Sequence, residues 1–140
     1  MEPYKHKVQY YETDQMGIVH HSNYIRWFEE ARMDYLQKLG MGYDEVEKKG
    51  IICPVLSVDA QYLRMVRFGT SVTIHTKISK YNGIKLIISY DVYDDKTNMI
   101  HCKGTTSHCF LSEKGRPLSL KKDMPELHDI FVQGLEDSKL

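Results

Sequence analysis

The sequence predicts an α+β fold in which a curved antiparallel sheet of about five strands wraps one long central helix. Three observations carry that prediction. Tyr24, Phe28, Ala31, Tyr35 and Leu39 recur at spacings of four, three, four and four, which sets them on one stripe of a helix from about Asn23 to Leu39. Val72, Ile74, Thr76 and Ile78 alternate with polar neighbours up to Asn82-Gly83, a pair that tolerates positive φ in a tight hairpin turn. The order of one strand, one long helix and about four more strands leaves an apolar helix stripe and an apolar sheet face, which bury each other when the sheet curls around the helix.

Each element follows in turn. Lys5 to Tyr11 reads as a first strand and Glu12 to Ser22 as a loop. Ser22 or Asn23 can cap the helix, because a short side-chain oxygen accepts a hydrogen bond from an unpaired amide of the first turn. Gly40 and Gly42 stop it. Arg26, Glu30 and Gln37 occupy its far side, with Glu30 placed to pair with Arg26. A short helical piece is expected over Tyr43 to Lys49, then a strand over Val55 to Phe68. After the Asn82-Gly83 turn the return arm carries Ile84, Leu86, Ile88, Tyr90 and Val92 on one face. Asp94 to Asn98 turns the chain again, and Ile100, Cys102, Gly104, Thr106, His108 and Phe110 form the alternate set of the last strand. From about residue 113 a polar tail, bracketed by Pro117 and Pro125, is expected to hold at most a short helix.

The 140 residues show no repeat or linker and read as one domain over 1–140, large enough to bury roughly 70% of the surface of its unfolded chain. Hydrophobic residues at 41% and charged residues at 27% suit a globular protein. Nineteen basic side chains balance nineteen acidic ones, so nothing global calls for nucleic acid or a membrane surface. Cys53, Cys102 and Cys109 are odd in number and lack C-x-x-C spacing, which favours reduced thiols. No signal-peptide core and no apolar run of spanning length occurs, and a cytoplasmic protein is expected. One helix covers one face of a sheet, so another copy is expected to cover an edge or the other face.

The chemistry gathers in the stretch YYETDQMGIVHHSNY, residues 10–24. Asp14 stands between the first strand and the helix, where the helix dipole and free amides stabilise a carboxylate. It can serve as base or nucleophile, or it can make an Asx turn. His20 and His21 are adjacent and would not share a face of a regular element, and no third ligand follows at diagnostic spacing, so no metal site is expected. Gly17 permits positive φ or a close approach. Glu29 lies one position off the apolar stripe, where it can pair with Arg32, face another subunit or line a pocket. Cys53, ahead of Pro54, lacks a placed base and reads as a packed thiol.

Tyr10, Thr13-Asp14, Gly17, His21, Asn23-Tyr24 and Glu29-x-Ala31-Arg32 together resemble the signature of hotdog-fold acyl-CoA thioesterases, in particular the 4-hydroxybenzoyl-CoA thioesterase family and its YbgC-like branch. The match is dense from Val8 to Arg32, while the later strands agree in order and length. The resemblance implies a homodimer joined edge to edge, a further pairing into a dimer of dimers, and active sites across the interface. It implies that Asp14 is the catalytic carboxylate, that the His21 amide polarises the thioester carbonyl, and that Tyr10 and the His21 side chain are its partners. Gly17, Asn23, Tyr24 and Glu29 would line the substrate site.

No cofactor is implied, coenzyme A being part of the substrate, and an acyl carrier protein presents the same pantetheine arm. Some relatives hold the nucleotide phosphates on a basic cluster at the hairpin, where this sequence reads KYNGIK and offers Lys80 and Lys85, with Arg64, Arg67 and Lys103 as other candidates. Competing readings are a non-catalytic acyl-pantetheine binding module and, ranked below it, a dehydratase on the same fold. Acyl length is not encoded legibly: Met16, Met33, Met65, Tyr24, Trp27, Tyr62 and Phe68 can line an acyl tunnel or fill a core.

Overall fold

The computed structural model describes residues 1–139; Leu140, the last residue of the expected domain, lies outside the described residues. Strand β1 covers Tyr4–Lys7 and gives way to a single 3-10 turn at Tyr10–Glu12. The expected first strand is therefore shorter than Lys5 to Tyr11, because Glu12 turns inward to meet donors from three segments. Helix α1 covers Ser22–Lys38 and a short α2 covers Tyr43–Lys48. Then come β2 (Ile51–Ile52), β3 (Val55–Tyr62), β4 (Ser71–Tyr81), β5 (Lys85–Asp94), β6 (Met99–Cys109) and β7 (Leu111–Ser112). A four-residue α3, Leu120–Asp123, and a long α4, Pro125–Asp137, complete the chain.

The main sheet has five antiparallel strands in the order β1-β4-β5-β6-β3, and β2 pairs separately with β7. Helix α1 lies on the concave face. Tyr24, Phe28, Ala31 and Tyr35 are buried as their spacing requires, and Trp27 joins them at full burial. From the sheet, Ile74, Ile78, Leu86, Ile88, Tyr90, Val92 and Cys102 are buried in the same core. Burying each such large side chain contributes roughly 1.5–3 kcal/mol. Phe28 stacks on Tyr90 with ring centroids 4.6 Å apart.

Three expectations need correction. The Val55 to Phe68 strand ends at Tyr62; the Leu63 and Arg64 amides still donate to the His101 carbonyl of β6, and the chain then pairs with the 13–19 loop through an isolated Ile18–Arg67 bridge. Ile84 does not share the inward face of β5; it sits in the turn, half exposed, while the alternation begins at Leu86 and runs on to a buried Asp94. The C-terminal segment is not a polar tail with at most a short helix. Pro125 opens a 13-residue helix, its missing N–H being harmless in the first turn.

Leu127, Phe131 and Gly134 supply the buried face of α4. Phe131 stacks on Tyr81 at 5.0 Å and packs on Phe110, and a β-carbon on Gly134 would meet Ile78 Cδ1 at 2.8 Å. This helix extends the layer begun by α1 across the hairpin end of the sheet, where Leu120 N–H donates to the Gly83 carbonyl at 2.8 Å. No helix among the described residues is long and apolar enough to cross a membrane. Edge strand β3 is the least covered element: Val55, Leu56, Val58 and Tyr62 are 40–53% exposed.

Candidate active site

The loop between the 3-10 turn and α1 is built by its own backbone. Asp14 N–H donates to Ile18 O at 2.8 Å, Gly17 N–H donates to Asp14 O at 3.0 Å, and Thr13 pairs with Val19. Gly17 adopts φ 73°, the conformation that its type was expected to supply. Asp14 Oδ1 accepts the amides of Met16 at 2.8 Å and Ile18 at 3.3 Å, which is an Asx turn. Among the described residues Oδ2 has no hydrogen-bond partner, and the carboxylate is exposed. One oxygen holds the group in place and the other is available.

The helix start differs from expectation. Neither Ser22 nor Asn23 caps α1. His21 occupies the cap position, and Ser22, the first helical residue, sends its amide to His20 Nδ1 at 3.2 Å. Asn23 turns away from the helix end, and its Nδ2 donates to Glu12 O at 2.8 Å. The backbone N–H of His21 has no acceptor among the described residues. It is a free donor at the positive end of a 17-residue helix. The His20 and His21 rings stack at 4.2 Å rather than converging on a point. Among the described residues no three His, Cys, Asp or Glu side chains gather to hold a metal ion.

The other sequence candidates are scattered about this loop. Tyr10 is 77% exposed and its ring packs edge-on against Phe68. The His21 ring meets Tyr62 edge-on, and Tyr62 Oη donates to His21 O at 3.4 Å. Tyr24 is buried between Trp27 and Tyr62, and burial, with the neighbouring Cys102, raises its pKa.

Glu29 stands apart and lines a cavity of about 530 Å³ bounded by α1, α2, β2, Leu86 of β5 and the C-terminal helices, with Arg32, Met33, Cys53, Phe110 and Phe131. The Glu29–Arg32 and Glu30–Arg26 pairs do not form. Glu30 accepts from Tyr4 Oη at 3.0 Å, and Arg26 donates to Ser22 and Asn23. Lys80 and Lys85 flank the β4–β5 hairpin, about 30 Å along β4 from its Asp14 end at roughly 3.3 Å per residue.

Two features escaped the sequence reading. Glu12, read only as loop, is a buried carboxylate that accepts from Trp27 Nε1 at 2.6 Å and Gln9 N at 2.7 Å, with His6 Nε2 at 2.8 Å. Burial alone would raise its pKa, but these hydrogen bonds outweigh burial and the net shift is downward.

The second is a polar chain inside the sheet–helix core. Arg32 Nη1 donates to Tyr90 Oη at 3.2 Å, Tyr90 Oη lies 2.7 Å from Thr106 Oγ1, and Thr106 Oγ1 lies 2.8 Å from His108 Nε2. Burial, reinforced by the Arg32 charge and opposed by the Pro54 carbonyl, pushes His108 down to about 4. The ring is therefore neutral near pH 7. The available signal was polar residues at inward positions of β5 and β6, namely Tyr90, Thr106 and His108. Burial pushes the Cys53 thiol up to about 12 despite Arg32, as befits a packed thiol.

The arrangement supplies a pinned carboxylate, a free helix-start amide and an apolar cavity with a polar lip. The family model of the thioesterase-like superfamily matches residues 8–129. The chain is 36% identical over 126 residues to the "Putative acyl-CoA thioesterase YneP" of Bacillus subtilis (strain 168), covering 89% of this chain and 91% of that protein. Among solved structures it is similar to a DHNA-CoA thioesterase from Staphylococcus aureus, with a TM-score of 0.89 and 31% identity over 99% of this chain and 95% of that one. A hypothetical protein of Aquifex aeolicus, AQ1494, aligns with a TM-score of 0.83 and 30% identity over 91% and 97% of the two chains. The chain thus belongs to the thioesterase-like superfamily, has the hotdog fold of its structural neighbours and is a thioester hydrolase.

Proposed function

We propose that the protein hydrolyses acyl-CoA thioesters, with Asp14 as nucleophile or general base and the His21 amide as the donor to the developing oxyanion. The observation that carries this reading is the division of labour in Asp14, whose Oδ1 is fixed by two amides while Oδ2 is unengaged. The free amide at the start of α1 stands where positive potential is greatest, and such donors stabilise the tetrahedral oxyanion most in a site that excludes water. Tyr10 and the His21 ring orient water or the carboxylate.

The site is completed by a second copy joined through β3. The Val55 end of β3 adjoins Cys53 and the cavity, and its Tyr62 end touches His21. Antiparallel pairing of β3 with its symmetry mate exchanges the two ends. It brings Asp14 and His21 of one subunit toward the cavity, Glu29, Lys80 and Lys85 of the other. The acyl group then enters the cavity and the lysines face the nucleotide phosphates, an arrangement that no single chain provides. A dimer of dimers would pair the sheet faces that α1 leaves bare.

Thiol release measured over a panel of acyl-CoAs and acyl carrier proteins tests the reading and separates the two carriers. Asp14→Asn keeps an oxygen for the Met16 and Ile18 amides, so it is expected to fold and to lose at least about 100-fold in kcat. Full turnover in that variant overturns the role given to Asp14.

A further inference from the structure

Glu12 precedes Asp14 by two residues and joins three of the segments that meet at the catalytic loop, while residues 66–68 hold the loop's far side through the Val19 amide, the Gly17 carbonyl and the Ile18–Arg67 bridge. Its carboxylate binds β1 through His6, the 3-10 turn through the Gln9 amide and α1 through the Trp27 indole. Its backbone carbonyl accepts the His20 amide at 2.9 Å and Asn23 Nδ2 at 2.8 Å. The loop that carries Asp14 starts at Glu12 and returns to it at His20, so both of its ends are tied to one residue, while its Gly17–Val19 arm is paired with residues 66–68.

That residue is 4% exposed. The Trp27 indole and the Gln9 amide can only donate, so they require an acceptor. A carboxylate buried against such donors is held rigidly, because each broken hydrogen bond would leave a charged oxygen in the interior. The next two residues of the chain carry this rigidity to Asp14, and His20 carries it to the neighbouring His21 amide.

We infer that Glu12 is a positioning residue, a buried anchor that fixes the Asp14 carboxylate relative to the His21 amide by holding both ends of the intervening loop. The inference rests on the roles proposed for Asp14 and His21. Loss of the anchor lets the loop shift while leaving the cavity unchanged, so it slows the chemical step more than it weakens binding.

The test uses the full chain carrying Glu12→Gln, whose amide NH2 would confront either the Gln9 N–H or the Trp27 indole N–H, and Trp27→Phe, which removes one donor and keeps a ring. Glu12→Gln is expected to lower kcat about 10-fold or more with KM within about twofold, and Trp27→Phe to act in the same direction by less. Hydrogen exchange at the Ile18 and His20 amides is expected to quicken in both, with Ile88 in the sheet unchanged. In an Asp14→Asn background Glu12→Gln is expected to cost no further kcat, whereas general unfolding would lower activity in either background. Unchanged exchange at His20 in Glu12→Gln, or an equal kcat loss in both backgrounds, overturns the inference. Full turnover by Asp14→Asn alone, or a wild type inert toward every thioester, overturns the active-site reading, and the exchange rates then decide separately whether Glu12 holds the loop.

Discussion

The ring of Phe28 lies so close to Gly104 that a β-carbon there would stand 2.3 Å from Phe28 Cε2 and 2.7 Å from the Asp59 carbonyl oxygen. The helix can sit this deep in the curved sheet only because β6 has no side chain beneath it, and the depth lets Phe28 stack on Tyr90. Gly104→Ala should cost about 3 kcal/mol in urea unfolding, since an inserted methyl forces both ring and strand to move. Adding Phe28→Leu should restore part of that loss and not all of it, because the Asp59 carbonyl belongs to the neighbouring backbone and cannot rotate away.

Glu12 also predicts behaviour in acid. Its carboxyl lies below the ordinary value of 4.5 in the folded protein, so the folded state binds its proton less readily than the unfolded chain. The stabilisation is complete above that ordinary value and is lost as pH falls through the lower folded value. Urea midpoints followed from neutral pH downward should decline in this window. Glu12→Gln should be less stable than the wild type at neutral pH and decline less steeply.

His108 acts in a different window. It is held neutral at about 4 against an ordinary 6.5, so as pH falls below 6.5 the unfolded chain takes up a proton that the folded protein refuses. Stability therefore falls between about 6.5 and 4 and levels off below, by roughly 3 kcal/mol for this group at most. His108→Gln can keep a partner for Thr106 without titrating, so it should flatten this upper decline and leave the Glu12 window in place. A midpoint-against-pH curve with the same upper slope in both proteins would count against His108 as its source.

The fold was largely legible because its two strongest patterns, the four-three-four-four stripe of α1 and the alternation around Asn82-Gly83, are local and survive any tertiary context. Helix α4 was missed although Leu127, Phe131 and Gly134 keep the same spacing, since two prolines and surrounding charges dominated the composition of the segment. Pro125 proved to be the first residue of the helix rather than its breaker. In the 13–19 loop, Asp14 makes the Asx turn and Gly17 takes the positive φ that their residue types allow. Glu12 was illegible because its partners, His6, Gln9 and Trp27, lie on three elements, and no spacing along the chain marks their convergence. Capping failed for a similar reason: Asn23 donates Nδ2 to the distant Glu12 carbonyl and its Oδ1 accepts from Arg26 rather than from a free helix amide.

The proposed two-chain site makes a prediction that no single-chain site shares. Asp14 comes from one subunit and the cavity around Cys53 from the other, so Asp14→Asn destroys one half of each site and a cavity-filling Cys53→Trp destroys the opposite half. Each homodimer would then be inactive for a different reason. When the two variants are unfolded together and refolded, half of the dimers are mixed, and each mixed dimer holds one site with both halves intact. Thiol release should recover to about a quarter of the wild-type rate, the product of these two halves for a two-fold dimer. If each chain carried its whole site, mixing would recover nothing. Blunting the β3 edge with Leu56→Lys and Val58→Lys supplies the complementary control: edge lysines oppose strand pairing. The doubly substituted chain should sediment as a monomer, keep its near-ultraviolet spectrum and lose turnover, and it should fail to complement either variant.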